Sequence, residues 1–427
     1  MIGATGKLPY TAPKVSVVMP SLNQAAFIRS AIESVLSQSH QDLELIVVDG
    51  GSTDGTQQVL EALGNRDKRL RWYSARDGGA AQAINKALSL SRGEIIGWLN
   101  SDDLYAEGAI ERAVQFYAER PETILVYGAG EHIDEHGTGL GHYPIRKPPL
   151  TQEMLRESCP ICQPTAFFRR KLLAEIGGLD SSLSLSFDYD YWIRAAKRFP
   201  YQIGFVEKVQ AYSRLHANCK TMRQRREVAL ESMRVTARGV GHAVAHWFFT
   251  WLDDYFRSFP HGDFPAAARR AMDLSITEAK GYLSDGDKDV FSKRLSEDKR
   301  LALLNDEAYI NIYSDGWVPS AARLRVRAIL PGLQAVRLRC RHAAPRGGAL
   351  TIYIRCSNGQ ESKFIVDKLG EFEIKLSIPE VISVPAYWTF TFNTDGAFIP
   401  AEHESNSQDN RILAFIVQGI DILRRAA

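Results

Sequence analysis

No stretch of this chain approaches the ~20 consecutive apolar residues that a membrane-spanning helix requires. The most apolar candidate, Ala243 to Leu252, is short and interrupted by His246 and Thr250. A spanning anchor is therefore not expected. Cysteine is scarce as well: Cys159, Cys162, Cys219, Cys340 and Cys356 are odd in number and scattered. That argues against a disulfide framework and for a reducing compartment, the cytoplasm by default. Cys159-Pro160-Ile161-Cys162 has the spacing of half a zinc site, yet no second Cys pair or nearby His pair completes four ligands, so it reads as structural. A surplus of either charge is missing too. With 52 basic against 50 acidic side chains, the net charge is +2, and no global field drives the chain onto nucleic acid. The lead-in Met1 to Pro13 has no basic start followed by an apolar run and does not read as a secretion signal. No internal repeat or low-complexity tract is visible.

What is present is an ordinary globular composition, 45% hydrophobic and 24% charged, spread over 427 residues. Single cores stop growing past roughly 250 residues, so two or three domains are expected. The first part alternates strand and helix signals. Val15 to Met19 and Glu44 to Val48 are short β-branched runs, and Ala25 to Ser37 shows helical spacing at Ala26, Ile28, Ile32, Val35 and Leu36. Further strands are expected at Leu70 to Ser74, Glu94 to Leu99 and Gln202 to Tyr212, with helices at Ala80 to Ser91 and Tyr105 to Arg120. Such a βαβ series implies a mostly parallel sheet with right-handed crossovers. Ligands then collect beyond the carboxyl ends of the strands. Asp49 follows the second strand and the cluster Asn100, Ser101, Asp102, Asp103 follows the fourth, so two polar loops distant in sequence face one crevice.

From about Arg223 to Asn305 the pattern is helical, clearest over Glu227 to Arg238 and Ala266 to Leu283, around the aromatic block Trp247, Phe248, Phe249, Trp251, Tyr255 and Phe256. That block reads as core or subunit interface. Beyond Asp315, short alternating runs from Arg323 to Ile329 through Arg411 to Val417 indicate a β-sandwich or jelly roll. The expected domains are 1–225, a helical connector 226–310 and a sandwich 311–427.

The chemistry-bearing segments recur in a definite order. Val17-Val18-Met19-Pro20-Ser21-Leu22-Asn23 and Val47-Val48-Asp49-Gly50-Gly51-Ser52-Thr53-Asp54-Gly55-Thr56 put carboxylates and glycines at strand ends. There a carboxylate can accept hydrogen bonds from a base or ribose while the backbone approaches a ligand closely. The same segment would also serve as a tight turn and helix cap, with Asp54 or Thr53 as the capping residue. Arg76-Asp77-Gly78-Gly79, Ala83-Ile84-Asn85-Lys86-Ala87 and Gly97-Trp98-Leu99-Asn100-Ser101-Asp102-Asp103 follow. Together these blocks resemble glycosyltransferase family 2.

That resemblance implies a GT-A fold and a nucleotide-sugar donor, a UDP-, GDP- or dTDP-sugar. It also implies donor contacts at Pro20, Leu22, Asn23, Asp49, Ser52, Asp54, Asp77, Gly79, Asn85, Asn100, Ser101 and Arg214. The acidic cluster looks like the family's Asp-x-Asp motif, which holds Mn²⁺ or Mg²⁺ against the diphosphate, with Asn100 where many relatives carry the first Asp. Asp102, Asp103 and His216 are the implied metal ligands. Cys162 to Arg170 and Phe187-Asp188-Tyr189-Asp190-Tyr191-Trp192 resemble the acceptor half, with Phe187 in place of a common Glu. Inverting transfer needs one carboxylate to take the acceptor proton. The expected base is Asp188, with Gln163 and Asp190 on the acceptor side.

Lys220, Arg223, Arg225 and Arg226 read either as a basic loop near the diphosphate or as a solvated face. In the sandwich, Trp317, Tyr387 and Trp388 are candidates for sugar stacking or for core. The expected function is inverting transfer of a sugar to a glycan or lipid-linked glycan in bacterial surface-polysaccharide synthesis, at the cytoplasmic side. No nucleic-acid partner is expected, and peripheral membrane association and homo-oligomerisation are left open. The alternative is an inactive transferase domain that binds or scaffolds glycan.

Overall fold

The computed structural model describes residues 14–258, 266–304, 307–328, 333–344, 348–378, 387–403, 407 and 409–424. Met1 to Pro13 and Ile329 lie outside them. The chain forms two compact units, Met1–Trp247 and Phe248–Ala427.

The first unit opens with β1 (Val15–Ser21), α1 (Ile28–Leu36), β2 (Leu43–Asp49), α2 (Thr56–Arg66), β3 (Leu70–Ser74), α3 (Ala80–Leu90) and β4 (Ile95–Trp98). Every residue of β1 and β2 is buried, as expected of parallel strands covered on both faces. Helix α1 buries Ile28, Ala31, Ile32 and Val35, one face at helical spacing. Next come β5 (Leu104–Tyr105), α4 (Ala109–Glu119), β6 (Leu125–Ile133), β7 (Gly139–His142) and α5 (Gln152–Glu157). A 3-10 turn at Gln163–Thr165 leads to β8 (Phe167–Arg169), α6 (Arg170–Ile176), α7 (Phe187–Arg198), β9 (Ile203–Arg214), α8 (Lys220–Arg223) and α9 (Arg225–Val240).

The strands form one sheet in the order β3-β2-β1-β4-β8-β6-β9-β5, with β7 beside β6. β3, β2, β1 and β4 run parallel, whereas β8 lies antiparallel between β4 and β6. The chain winds outward from β1 to β3 and returns on the other side of β1 as β4. That reversal opens a crevice at the carboxyl ends of β1 and β4. The helix expected from Tyr105 is divided. Leu104–Tyr105 pairs with β9, and Gly108, at φ 71°, turns the chain before α4 begins.

The second unit begins in α10 (His246–Ser258), followed by α11 (Ala266–Lys280), α12 (Asp285–Glu297) and α13 (Lys299–Leu303). The aromatic block, expected as core or subunit interface, contributes to the core. Phe248, Phe249 and Phe256 are buried within this unit, the first two against Phe291 and the third against Tyr309. The strands are β10 (Ala308–Ile310), β11 (Trp317–Pro319), β12 (Ala321–Arg327), β13 (Leu333–His342), β14 (Leu350–Cys356), β15 (Glu361–Val366), β16 (Gly370–Ser377), β17 (Tyr387–Asp395) and β18 (Leu413–Arg424), with a short helix α14 (Pro400–His403) before the last. One sheet runs β10-β12-β17-β14-β15 and the other β11-β18-β13-β16. Apart from the added edge strand β10, this is the strand order of a jelly roll. Leu324, Ile352, Phe392, Leu338 and Phe415 fill the space between the sheets. Trp388 is core, and Trp317 packs edge-on against Phe398.

Candidate active site

At the end of β2 the carboxylate of Asp49 is fully buried. It accepts from the backbone N–H of Gly51 (3.1 Å) and Ser52 (2.9 Å), from the Ser52 hydroxyl, and from Ser74 Oγ (2.7 Å). Asp49, expected to touch nucleotide, thus organises its own loop. Ser52 carries the effect to the β1 loop by accepting from the Asn23 N–H at 2.7 Å. Asn23 sits at φ 53° and accepts from the Thr53 N–H at 3.0 Å. Asp54 accepts from Ala25 N–H (2.9 Å), Thr56 N–H (3.0 Å) and Thr56 Oγ1 (2.6 Å). Burial alone would raise its pKa, but the Thr56 hydroxyl and these N–H groups hold it below the usual carboxylate range. Asp54 therefore staples two loops, while the N-cap position of α2 falls to Gly55 rather than to Asp54 or Thr53.

The open surface lies beside these loops. Leu22 is 55% exposed and Asp77 is exposed. A Cβ on Gly50 would come within 3.3 Å of the Asp77 carboxylate and 3.4 Å of Leu22. The missing side chain keeps a gap between an apolar and an acidic wall. Pro20 is buried beneath, and Gly79, at φ 118°, starts α3 with its N–H donated to Asp77 at 2.9 Å. Asn85 is elsewhere. Its amide donates to Leu179 O (2.8 Å) and accepts from Leu179 N–H (2.9 Å), so it latches the loop after α6 onto α3.

Beyond β4, Asn100 and Gln163 form one network. The Trp98 indole donates to Asn100 Oδ1 (3.1 Å), Asn100 donates to Gln163 Oε1 (2.9 Å), and Gln163 donates to Trp98 O (2.7 Å). Gln163, expected on the acceptor side, is buried and bonded to the β4 loop. Ser101 is buried. Asp103 is only 4% exposed and accepts from the Arg214 N–H at 2.8 Å; burial and then the adjacent Asp102 push its carboxyl well above the usual range. Through that bond Asp103 braces β9.

Arg214 is likewise enclosed, donating to the carbonyls of Asp102 (2.8 Å), Asp134 (2.9 Å) and Glu135 (3.1 Å) over the Phe27 ring. It holds the acidic loop in place through backbone oxygens bonded to its Nε and Nη1. The remaining pair is aimed together: His216 Nε2 lies 3.1 Å from Asp102 Oδ2. Phe27 packs on the imidazole with ring centroids 4.8 Å apart. Among the described residues no group of three or more His, Cys, Asp or Glu side chains converges. One carboxylate and one imidazole still fit a divalent ion whose other ligands are diphosphate oxygens and water.

Asp188 lies in the first turn of α7, joined to this loop through Phe187, whose ring stacks on Trp98 at 5.7 Å. The substitution at Phe187 thus has a packing role. Burial pushes the Asp188 carboxyl up to about 6; the Tyr189 N–H, donated at 2.8 Å, lowers it, and the Glu231 charge adds to the rise. Asp190, two residues on and expected on the acceptor side, is buried between Arg194 (2.8 Å) and Arg238 (2.5 Å). Glu231 of α9 was not singled out from the sequence. It accepts the backbone N–H groups of Ser184 (3.1 Å), Leu185 (2.7 Å) and Ser186 (2.6 Å), fixing the entry to α7. No local motif announces it, because the partner loop lies 45 to 47 residues away. Cys159 and Cys162 are unpaired thiols, both pushed up by burial.

Residues 16–177 match the glycosyl transferase family 2 model. The chain carries a family 2 glycosyltransferase domain. Asp188 and His216 lie past the matched segment, so their assignment rests on the geometry above. The family 2 domain is similar to an uncharacterised glycosyltransferase of Rickettsia felis, 32% identical over 218 residues, 48% of this chain and 35% of that protein. It is also similar to the chondroitin synthase of Escherichia coli, 30% identical over 193 residues, 44% of this chain and 27% of that protein. The chain thus spans about a third of the length of the first curated relatives it matches. A crystal structure of S. aureus TarS 1-349 in complex with UDP-GlcNAc superposes with a TM-score of 0.50 at 20% identity, covering 66% of this chain and 85% of that one. At that identity the likeness speaks for the fold. Among the described residues no helix is long and apolar enough to cross a membrane.

Proposed function

We propose that this chain is an inverting glycosyltransferase that moves a sugar from a nucleoside diphosphate onto a glycan or lipid-linked glycan during bacterial surface-polysaccharide synthesis. The observation that carries the reading is the pairing of Asp102 with His216 at the strand ends, alongside the Asp188 carboxyl raised to about 6. The gap at Gly50, walled by Leu22 and Asp77, receives the nucleoside. Asp102 and His216 would hold a divalent cation, which would supply positive charge to the departing diphosphate. Asp188 accepts the proton of the acceptor hydroxyl as that oxygen bonds to the anomeric carbon. The bond to the diphosphate oxygen breaks on the opposite face, and nucleoside diphosphate leaves with inversion. Because the relative of known structure was solved with UDP-GlcNAc, a uridine diphosphate sugar is the first donor to try. Surface-polysaccharide synthesis follows from the likeness to chondroitin synthase and, over 109 residues at 40% identity, to a putative teichuronic acid glycosyltransferase of Bacillus subtilis.

The inactive-scaffold alternative draws on Asn100 and Phe187, and the Phe187 ring packs on Trp98. The Asn100 amide is engaged with Trp98 and Gln163, so the substitution leaves the Asp102–His216 pair intact. The test is calorimetric titration of UDP, GDP and dTDP with Mn²⁺, then with EDTA, on the native chain and on Asp102→Ala. Metal-dependent binding of one nucleotide, weakened at least tenfold in the variant, is expected. No binding under any condition would favour the inactive scaffold.

A further inference from the structure

The jelly roll has two outward faces of different electrostatic character. On the β18-β13-β16 side the charges neutralise one another: Arg337 lies 3.1 Å from Asp421 and 3.7 Å from Glu373, and Arg339 lies 3.3 Å from Asp421. On β12, β17, β14 and β15 the inward residues fill the core, and among the described residues of these strands the alternate positions present Arg323, Arg327, Arg355 and Lys363 beside the acidic Glu361 and Asp395. The whole chain carries +2, so this face holds a local surplus of cations.

The face is also hollowed. A depression of about 660 Å³ is lined by Tyr353, Arg355, Glu361, Lys363, Thr391 and Asn393 among others. The strand register sets these side chains in two rows, Arg323-Thr391-Arg355-Glu361 and Ala321-Asn393-Tyr353-Lys363. With strands ~4.8 Å apart, each row spans about 14 Å. Tyr353 is 45% exposed at the centre, an aromatic ring on which a sugar face can stack, with Lys363 Nζ 5.5 Å from its centroid. Arg355 is oriented by Glu361, Nε to Oε1 2.8 Å, and with Asn393 and Thr391 it supplies directional donors and acceptors around the ring.

We propose that this face of the jelly roll binds an anionic glycan, a polymer of sugars bearing carboxylate or phosphate groups. Tyr353 stacks on a sugar ring, and Arg323, Arg355 and Lys363 meet the charges along the chain. Bare electrostatics would serve any polyanion, but an exposed ring seated in a polar trough selects for a sugar. The proposal is independent of the transfer chemistry, since binding is read without turnover.

The experiment measures binding of fluorescently labelled polygalacturonate oligomers to the full chain, with neutral dextran and duplex DNA as comparison probes. Saturable binding to polygalacturonate alone is expected. Tyr353→Ala should weaken it roughly tenfold, Tyr353→Phe should retain it, and Arg323→Glu with Lys363→Glu should abolish it. UDP titration with Mn²⁺ should be unchanged in all three. No saturable binding would overturn the proposal. So would equal affinity for dextran, equal affinity for DNA, or indifference to Tyr353→Ala. If Tyr353→Ala alters the circular dichroism spectrum, Lys363→Glu by itself serves, with a loss of at least threefold required.

Discussion

At the residue scale, the main finding is that carboxylates alike in sequence have been given unlike tasks by their surroundings. Asp49, Asp54, Asp103 and Asp190 are held by backbone N–H groups or guanidinium groups, whereas Asp102 faces His216 and Asp188 sits half-buried with a raised pKa. A base near 6 is deprotonated at neutral pH yet still a competent proton acceptor. With the base active only when ionised, kcat/KM should fall about tenfold per pH unit below about 6 and level off above it. Asp188→Asn should reduce transfer by at least ~10²-fold while leaving UDP binding intact. The stability sign is opposite. A carboxyl raised in the folded state binds more protons folded than unfolded, so its contribution to stability is lost as pH rises from about 4 through about 6. Asp188→Asn should therefore raise stability at pH 8, by roughly 1–3 kcal/mol, and not at pH 3. A melting temperature unchanged at pH 8 would contradict the raised pKa.

At the element scale, the position of the proposed base depends on two helices meeting. α7 carries Asp188, but α9 closes its entry loop through the three N–H bonds of Glu231, and Phe187 anchors its first turn on Trp98. Glu231 is a positioning residue. Glu231→Gln removes a negative charge near Asp188 and loosens the entry loop. The expected results are a lower kcat, an acid limb of the pH profile shifted downward, and unchanged donor titration. A profile that does not move, with kcat lost, would reduce Glu231 to a purely structural brace. The sequence pattern found α9 but assigned it to a connector, since periodicity reports which face of a helix is apolar and not which loop its polar face will cap.

At the scale of the whole molecule, each unit has its own apolar interior. Val18, Trp98 and Trp192 belong to a core of the first unit, and Leu324, Leu338 and Phe415 to the jelly roll. Scanning calorimetry should resolve two transitions. UDP with Mn²⁺ at about a hundred times its dissociation constant should stabilise one of them by about 2.7 kcal/mol, and EDTA should reverse the gain. Polygalacturonate should act on the other. A single transition shifted by both ligands would show that the units unfold together.

The βαβ alternation, the crevice after the second and fourth strands, and the sandwich texture of the last hundred or so residues were legible in the chain itself. Short-range periodicity and strand-end polarity follow from backbone geometry that neighbouring residues share. The ordered motifs likewise led to family 2. What only the tertiary structure decided is which polar groups remain available for chemistry. Asn85 and Gln163 read as ligand contacts in one dimension, and folding brings carbonyls and amides within bonding reach of both. Conversely, Glu231 and the Tyr353 trough arise from register and helix packing between segments far apart in sequence. A hydrogen-bonding side chain has a fixed capacity, and whether a ligand can use it depends on which partners the fold has already placed within reach.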